Sequence, residues 1–536
     1  MSQTRQALKN KGRPPLALVI LDGWGLAPAG PYNAISQAKT PCFDNLWQNY
    51  PHTMLCAHGF CAGLPKDQVG NSEAGHLNIG AGRVVIQDSV NISEAINDKT
   101  FFKNPAFLEA IQHAKQYNSQ LHLMGILSWD QCPHMSPDHI IALSRLVARH
   151  QIKVFLHFFT DGRDAPKHEA LKIWQRLQTQ LAPDTCEPAS VTGRLYLDRK
   201  KEWPRTEVIY NALVLGQAEN EAPSLEQAIE NSYKQGLSDE FIKPVLIRNS
   251  RVTAKNNISD NDSIIFYNLR SDRARQLAKP FVQEDFEELN QGAFNRRKVL
   301  RNIKFVAMTD FGPDLGQVLT AFPSRDIQQT LPMVLGDHYK QLYISEMEKY
   351  AHITYFLNGG FKSPVAGESR ILIKSPAVDS YDKAPKMSSK EITELVIENL
   401  HQKWYNFIAL NFPNADMVGH TGNLQAAQKG CEAVDQCLRK ILKCIKAYKG
   451  QAIIVADHGN AEVMYSPELE AIDKDPVNTM HTTNPVPFII YTDKKIKLKG
   501  QDSQKPAGRL ADVAPTLLDL VELGKPKEMT GESLII

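Results

Sequence analysis

Three short apolar runs in this chain end in aspartate, and histidine follows two of them. "LALVIL" (16–21) leads into Asp22-Gly23. "NFIALNF" (406–412) leads through Pro413-Asn414-Ala415 to Asp416, with His420 four residues on. "QAIIVA" (451–456) leads into Asp457-His458, and His481 follows in "NTMHTTNPVP". One aspartate before a glycine is a turn residue. Three strand-end aspartates with three histidines form a candidate metal site. Its donors are oxygen and imidazole with no thiolate, which suits Mn²⁺, Mg²⁺ or Zn²⁺. Six or seven such ligands exceed one tetrahedral ion and fit two. Two ions ~3.5–4 Å apart can clamp the attacking and leaving oxygens of a phosphoryl transfer.

A second candidate is "VGNSEAGHLNIGAGR" (69–83), with Ser72 in a run of small residues. Gly70, Gly75, Gly80 and Gly82 let backbone approach a ligand closely. Asn71-Ser72-Glu73-Ala74 reads as a helix start, where free N–H groups favour an anion. Ser72 is therefore either a nucleophile toward phosphorus or a helix N-cap. A third candidate is arginine-rich. "TDGRDAPK" holds Arg163 and Asp164, "TGRLYLDRK" holds Arg194 and Arg199, and "NLRSDRARQ" holds Arg270 and Arg273. Arginines recurring beside aspartate and glycine at strand ends suit bidentate binding of phosphate and carboxylate.

Unbroken apolar runs such as 16–21 and 451–456 have the pattern of strands buried on both faces of a parallel sheet. Functional groups in such sheets gather beyond the carboxyl ends of the strands. Further strands are expected at 352–358 and 486–492. Helices are expected at 40–49 and 424–447, with an amphipathic one in the tail "LADVAPTLLDLVEL". From about residue 91 to 318 the chain has its own alternation. Strands fall at 121–127, 153–159, 263–269 and 303–311, and helices at 139–150 and 167–180. That block can make a separate α/β sheet.

At 536 residues, length allows two to four domains of ordinary size. A net charge of +2, from 61 basic and 59 acidic residues, gives no argument for nucleic acid or an anionic membrane. No apolar run approaches the ~20 residues of a membrane span. The first fifteen residues lack the apolar stretch of a secretory signal and read as a short polar, basic extension. The eight cysteines form no CxxC pair and no zinc-like spacing, and read as reduced thiols of a cytoplasmic protein. With no coiled-coil pattern, a monomer is expected.

The motifs together resemble the cofactor-independent (2,3-bisphosphoglycerate-independent) phosphoglycerate mutases of the alkaline-phosphatase-like superfamily. The matching pieces are "LDGWG", "VGNSEAGHLNIGAGR", "DGRD", "TGRLYLDR", "LRSDRA", "EKY", "FLNGG", "NFPNADMVGHTGN", "ADHGNAE" and "HTTNPVP", in the family's order from residue 21 to 487. The resemblance implies an α/β chain with a discontinuous phosphatase-like metal domain (1–90 and 319–536). A phosphotransferase domain (91–318) is inserted into it. The resemblance also implies two Mn²⁺ ions, with Mg²⁺, Co²⁺ or Zn²⁺ as substitutes. One would be bound by Asp416, His420 and His481, the other by Asp22, Ser72, Asp457 and His458. The activity implied is interconversion of 3- and 2-phosphoglycerate in glycolysis and gluconeogenesis. It would pass through phosphoserine on Ser72, with Asp164 as acid/base and no bisphosphoglycerate. The substrate residues map onto Arg163, Asp164, Arg194, Arg199, Arg270, Arg273 and Lys349. The family's "GGVHSH" histidine maps onto His134, counting back from His139. Here that loop reads "SWDQCPHMSPDH", without its glycines and one residue longer. Between Arg194 and Arg199 the spacing is one residue shorter than the family's.

Overall fold

The structure, a computed structural model, describes residues 13–128, 132–248, 256–312, 314–323, 327–465, 477–501 and 503–536. The polar extension, up to residue 12, and residues 129–131 of the altered loop lie outside the described residues. The chain divides into two compact units, Met1–Gln87 with Arg325–Ile536, and Asp88–Ser324. Strands are numbered along the chain. β1 and β2 and β11–β16 belong to the first unit, and β3–β10 to the second.

At the centre of the first unit lies β1 (Leu16–Leu21), all six of its side chains at most 2% exposed. Burial on both faces is what an unbroken aliphatic run demands. β13 (Phe407–Phe412) and β14 (Gln451–Val455) flank it, both parallel to it. β11 (Gln341–Glu346) and β12 (Ser369–Ile373) extend the parallel part on the β13 side. β15 (Val486–Tyr491), β2 (His52–Cys56) and β16 (Gly508–Arg509) follow on the β14 side, to give the order β12-β11-β13-β1-β14-β15-β2-β16. β15 runs antiparallel to both β14 and β2.

The helix Leu424–Ala447 buries Ala427, Cys431, Val434, Leu438, Ile441 and Ile445, the three-and-four spacing of one helical face. Asn423 caps it, accepting from the Ala426 N–H at 3.1 Å. Asp435 in that helix in turn accepts from the Cys42 and Phe43 N–H groups at 3.2 and 2.8 Å, so its carboxylate fills the free N-terminus of the helix Pro41–Asn49. The tail helix Val513–Leu520 is less amphipathic than expected: apart from Asp519, every residue in it is buried.

In the second unit β3 (Leu121–Leu127) pairs with β4 (Val154–Thr160) and β4 with β5 (Cys186–Gly193), all parallel. β8 (Ser263–Phe266), β9 (Lys304–Thr309) and β10 (Leu319–Phe322) continue in parallel beyond β3. β6 (Asn220–Ala222) and β7 (Val245–Ile247) close the other edge, β7 antiparallel to β5. This unit has its own core, from Ile92 to Ala321.

Several expectations change. The unit boundaries move outward from 90/91 and 318/319. The helix Asp88–Asn97 sends Ile92 and Ala95 into the second core, and β10 is hydrogen-bonded to β9. Residues 352–358 are not a strand. His352–Phe356 is a π-helical turn, with Ile353 and Leu357 buried four residues apart on one side. A short apolar run of this kind fits either period. Cys56 and Cys61, read as free thiols, form a disulfide. The turn Gly59–Ala62 after β2 brings their Cα atoms to 5.9 Å. Among the described residues no helix is long and apolar enough to cross a membrane.

At the carboxyl end of β11, Glu346 is fully buried and accepts from the Ser388 N–H at 2.7 Å. Burial raises its carboxyl to about 7. The folded value thus lies above the unfolded one. The stabilisation is fully present below the unfolded value of ~4.5 and is lost as pH rises through ~7. Glu346→Gln, which titrates nowhere in this range, is expected to gain about 2 kcal/mol on wild type between pH 5.5 and pH 8. Urea unfolding of both proteins across that range checks it. Parallel stability curves would remove the assignment.

Candidate active site

Because β1, β13 and β14 are adjacent and parallel, the residues just beyond their carboxyl ends meet. Asp22 follows β1 directly, Asp457 follows β14 by two residues, and Asp416 lies in the short helix Asn414–Gly419 after β13. The Asp416 N–H donates to the Asp22 carbonyl at 3.1 Å. Gly23 permits this approach. Its φ is +74°, and a Cβ there would stand 2.6 Å from the Asp416 backbone.

His481 Nε2 and His420 Nε2 lie 3.0 and 3.2 Å from the same oxygen, Asp416 Oδ1, and 3.0 Å from each other. Their Nδ1 atoms face backbone carbonyls, Gly70 O at 2.8 Å and Thr479 O at 2.7 Å. A neutral imidazole donates from the nitrogen that faces a carbonyl, so both Nε2 lone pairs point at the carboxylate. Three electron-rich atoms converging this way is an arrangement that a divalent cation satisfies. Ligand atoms of Asp416, His458 and His481 lie within 4.8 Å of one another, and so do those of Asp22, His76 and Asp457. His458 Nε2 stands between the two groups, 3.5 Å from both Asp22 Oδ1 and Asp457 Oδ2. The residues present therefore fit a pair of hard or borderline divalent ions.

Ser72 opens the helix Ser72–Ala81, but it is not the cap. Asn71 holds that position, accepting from the Ala74 N–H at 2.9 Å. The Ser72 hydroxyl is left for other partners. It lies 2.9 Å from His458 Nε2 and 3.4 Å from Asp22 Oδ1, and Lys349 Nζ donates to it at 2.6 Å. The same ammonium binds Asp22 Oδ1 at 2.7 Å and Asp416 Oδ2 at 2.6 Å. The structure thus places Lys349 with the serine and the carboxylates, in a different unit from the arginines.

Burial, then Asp457, raise the Asp22 carboxyl above its ordinary value. Burial also opposes charge on Asp416, but Lys349, His420 and His481 outweigh it and hold that carboxyl well below its usual range. Burial acts against charge on Lys349 and is outweighed by Asp22 and Asp416, which raise the ammonium above the ordinary lysine range. Burial with the neighbouring His458 lowers His481 to about 4.

His76 and Asn411 were not singled out from the sequence. His76 Nδ1 lies 2.9 Å from the Ser72 carbonyl and 3.3 Å from Asp457 Oδ2, and its Nε2 faces the Asn411 amide at 3.0 Å. Asn411 also donates to Asp22 Oδ2 at 2.7 Å. With both ring nitrogens engaged, His76 braces two carboxylates and the serine backbone. Its place four residues after Ser72, on the same helical face, was the available signal.

In the second unit Asp161 and Asp164 follow β4, and Arg194 follows β5. Arg194 Nη1 bonds Asp161 Oδ1 and Asp164 Oδ2, both at 2.5 Å, and its Nη2 lies 2.9 Å from His134 Nε2. Arg273, in the helix Ser271–Val282, donates to the carbonyls of Leu197 (2.7 Å) and Arg194 (3.3 Å). Arg199 bonds Asp272 at 2.7 Å, and Arg270 acts electrostatically on both His134 and Asp272. Arg163 is 54% exposed and 4.0 Å from Glu240; its N–H donates to Asp161 Oδ1 at 3.2 Å and its charge acts on Arg273. The altered loop therefore still brings His134 to the arginines.

Burial, with Arg194 and Arg270, keeps His134 well below its usual value, so the ring is neutral. Burial and the neighbouring Arg194 lower Arg273 to about 10. Such crowding of cations suits an anionic ligand. Asp161, not singled out, obeys the rule that marked Asp22: it is the first residue after a buried parallel strand.

Two α/β units with carboxylates and imidazoles gathered at strand ends define a metalloenzyme. The family model for the Metalloenzyme superfamily matches residues 14–525, and the chain belongs to that superfamily. Within it the chain belongs to the 2,3-bisphosphoglycerate-independent phosphoglycerate mutases. It is 46% identical to 2,3-bisphosphoglycerate-independent phosphoglycerate mutase 1 of Methanosarcina barkeri, over 98% of this chain and 99% of that protein. It is 44% identical to the mutase of Chloroflexus aggregans, over 97% and 98%. The phosphoglycerate mutase of Leishmania mexicana, solved at low cobalt concentration, superposes with a TM-score of 0.83 at 30% identity, covering 98% of this chain and 99% of that one. The protein is thus an isomerase of a metalloenzyme superfamily.

Proposed function

We propose that the enzyme interconverts 3-phosphoglycerate and 2-phosphoglycerate through a phosphoserine on Ser72, with two Mn²⁺ ions per chain and no bisphosphoglycerate. The observation that carries this reading is the Ser72 hydroxyl itself. It lies between the Lys349 ammonium at 2.6 Å and the His458 imidazole at 2.9 Å, at the first residue of the helix that Asn71 caps. Asp416, His420 and His481 would hold one ion, and Asp22, Ser72, Asp457 and His458 the other. Bound there, the ions supply Lewis acidity that lowers the serine pKa and offsets charge on the transferring oxygens.

Ser72 Oγ, its proton released to solvent, attacks phosphorus, and the bond from phosphorus to the glycerate ester oxygen breaks. Asp164 gives a proton to that leaving oxygen and takes one from the other glycerate hydroxyl when the phosphoryl group returns from Oγ. Arg194, Arg199, Arg270 and Arg273 hold the glycerate carboxylate and phosphate oxygens, with His134 as a neutral donor. Lys349 stabilises charge that develops on the phosphoryl oxygens. The test is an assay with 3-phosphoglycerate as the sole phosphate compound and Mn²⁺ present. 2-Phosphoglycerate is expected, without free phosphate. Free phosphate with no isomerised product would mean a phosphatase instead.

A further inference from the structure

Glu462 is 2% exposed and, among the described residues, accepts three hydrogen bonds, all from neutral donors. Its Oε1 accepts from the Thr482 hydroxyl and from Asn484 Nδ2 at 3.0 Å, and its Oε2 from the Asn460 N–H at 2.8 Å. A buried carboxylate without a cation among those partners is costly, and a core built only for stability would not keep one.

The donors show what it joins. Thr482 is the next residue after His481. Asn460 lies two residues after His458, and its side chain donates to Asp416 Oδ1 at 3.2 Å, the oxygen both imidazoles face. The Thr482 N–H also donates to the Gly459 carbonyl at 3.0 Å. Room for the carboxylate comes from Gly25 and Gly459, since a Cβ at either would overlap it.

We propose that Glu462 is a positioning residue that clasps the loop after β14 to the loop bearing His481. It thereby fixes Asp416 Oδ1 and His481 Nε2 for one ion, and reaches the Asp22/Asp457 centre less directly, through the clasped loop that also bears Asp457 and His458. This rests on the two-ion reading above. The effect is directional: Thr482 sets His481 and Asn460 sets Asp416, whereas His76 and Asn411 brace Asp22 and Asp457.

The test is Mn²⁺ titration of metal-free wild type, Glu462→Gln and Thr482→Val by calorimetry and electron paramagnetic resonance. Glutamine turns one acceptor into a donor facing donors. Loss of a supporting contact of this kind weakens metal by about 10–100-fold. Glu462→Gln is expected to raise one of two dissociation constants by that factor and the other by clearly less. kcat should recover at saturating Mn²⁺, with an unaltered KM. Thr482→Val, which removes one hydroxyl, is expected to act on the same ion by a smaller factor. Wild-type affinities in both variants would overturn the proposal. So would equal weakening of both ions with a lowered melting temperature, the mark of a merely structural role. A wild type that binds no Mn²⁺ would instead remove the two-ion reading beneath it.

Discussion

Ser72→Ala is expected to stop turnover while the protein still folds. Removing a covalent nucleophile costs about 10⁴-fold or more, because no other group can carry the transferred phosphoryl. The stability cost should be small. Asn71, not Ser72, caps the helix, and the Lys349 ammonium keeps its bonds to Asp22 and Asp416. One lost side-chain hydrogen-bonding group is worth about 1 kcal/mol. The circular dichroism spectrum should match wild type and the melting temperature should fall by only a few degrees. Acid quenching of wild type with phosphate-labelled substrate should leave label on Ser72, and the variant should carry none. Turnover of the variant within tenfold of wild type would end the nucleophile assignment.

Chelation has the second large effect. Activity is expected to fall by about 10³-fold or more in a strong chelator, since in the proposed mechanism the ions would set both the serine pKa and the charge balance. Mn²⁺ should restore it at two equivalents per chain, without bisphosphoglycerate. The electrostatics explain the dependence. Asp22, Asp416 and Asp457 are all fully or nearly fully buried, and Lys349 is the ammonium set among them. Divalent charge offsets what one ammonium leaves. Binding also requires the imidazoles as free bases. Asp416, against the opposing effect of burial, raises His420 above its ordinary value, so the apparent Mn²⁺ affinity should weaken as pH falls toward and below neutrality. Full activity in metal-free protein would remove the two-ion reading.

What could be read in advance, and what could not, follows from the reach of each signal. β1 was legible because six consecutive aliphatic residues have few other uses. The strand-end aspartates were legible because parallel strands deliver their ends to one edge, and β13, β1 and β14 are neighbours. Their joint use could be argued only from their number, since residues 22 and 457 give no local hint that they meet. Glu462 and Asn411 touch the site through other side chains, and nothing about a lone buried polar residue marks that in one sequence; His76 left one trace, its place four residues after Ser72. β11 and β5 carry polar residues within the run and lack the aliphatic signature, so they passed unread. The π-helical turn at His352–Phe356 was misread because five residues cannot separate a period of two from one of about four. The Cys56–Cys61 pairing needs the path of the turn between them, which spacing does not supply.

The central place of β1 has a consequence for how this protein is made. Among the described strands β1 is made first, yet its two partners, β13 and β14, begin at Phe407 and Gln451. At ordinary translation speed, the first strand waits roughly 20 to 80 seconds for a neighbour. The second unit, continuous in the chain from Asp88 to Ser324, holds all its partners and can fold during that interval. An all-aliphatic strand is therefore left without a sheet while most of the chain is made, and β2 waits longer still, for β15 at Val486. Chaperone demand should fall on the nascent segment up to Gln87, and Asp22 should be made well before the neighbours it meets at Asp416 and Asp457.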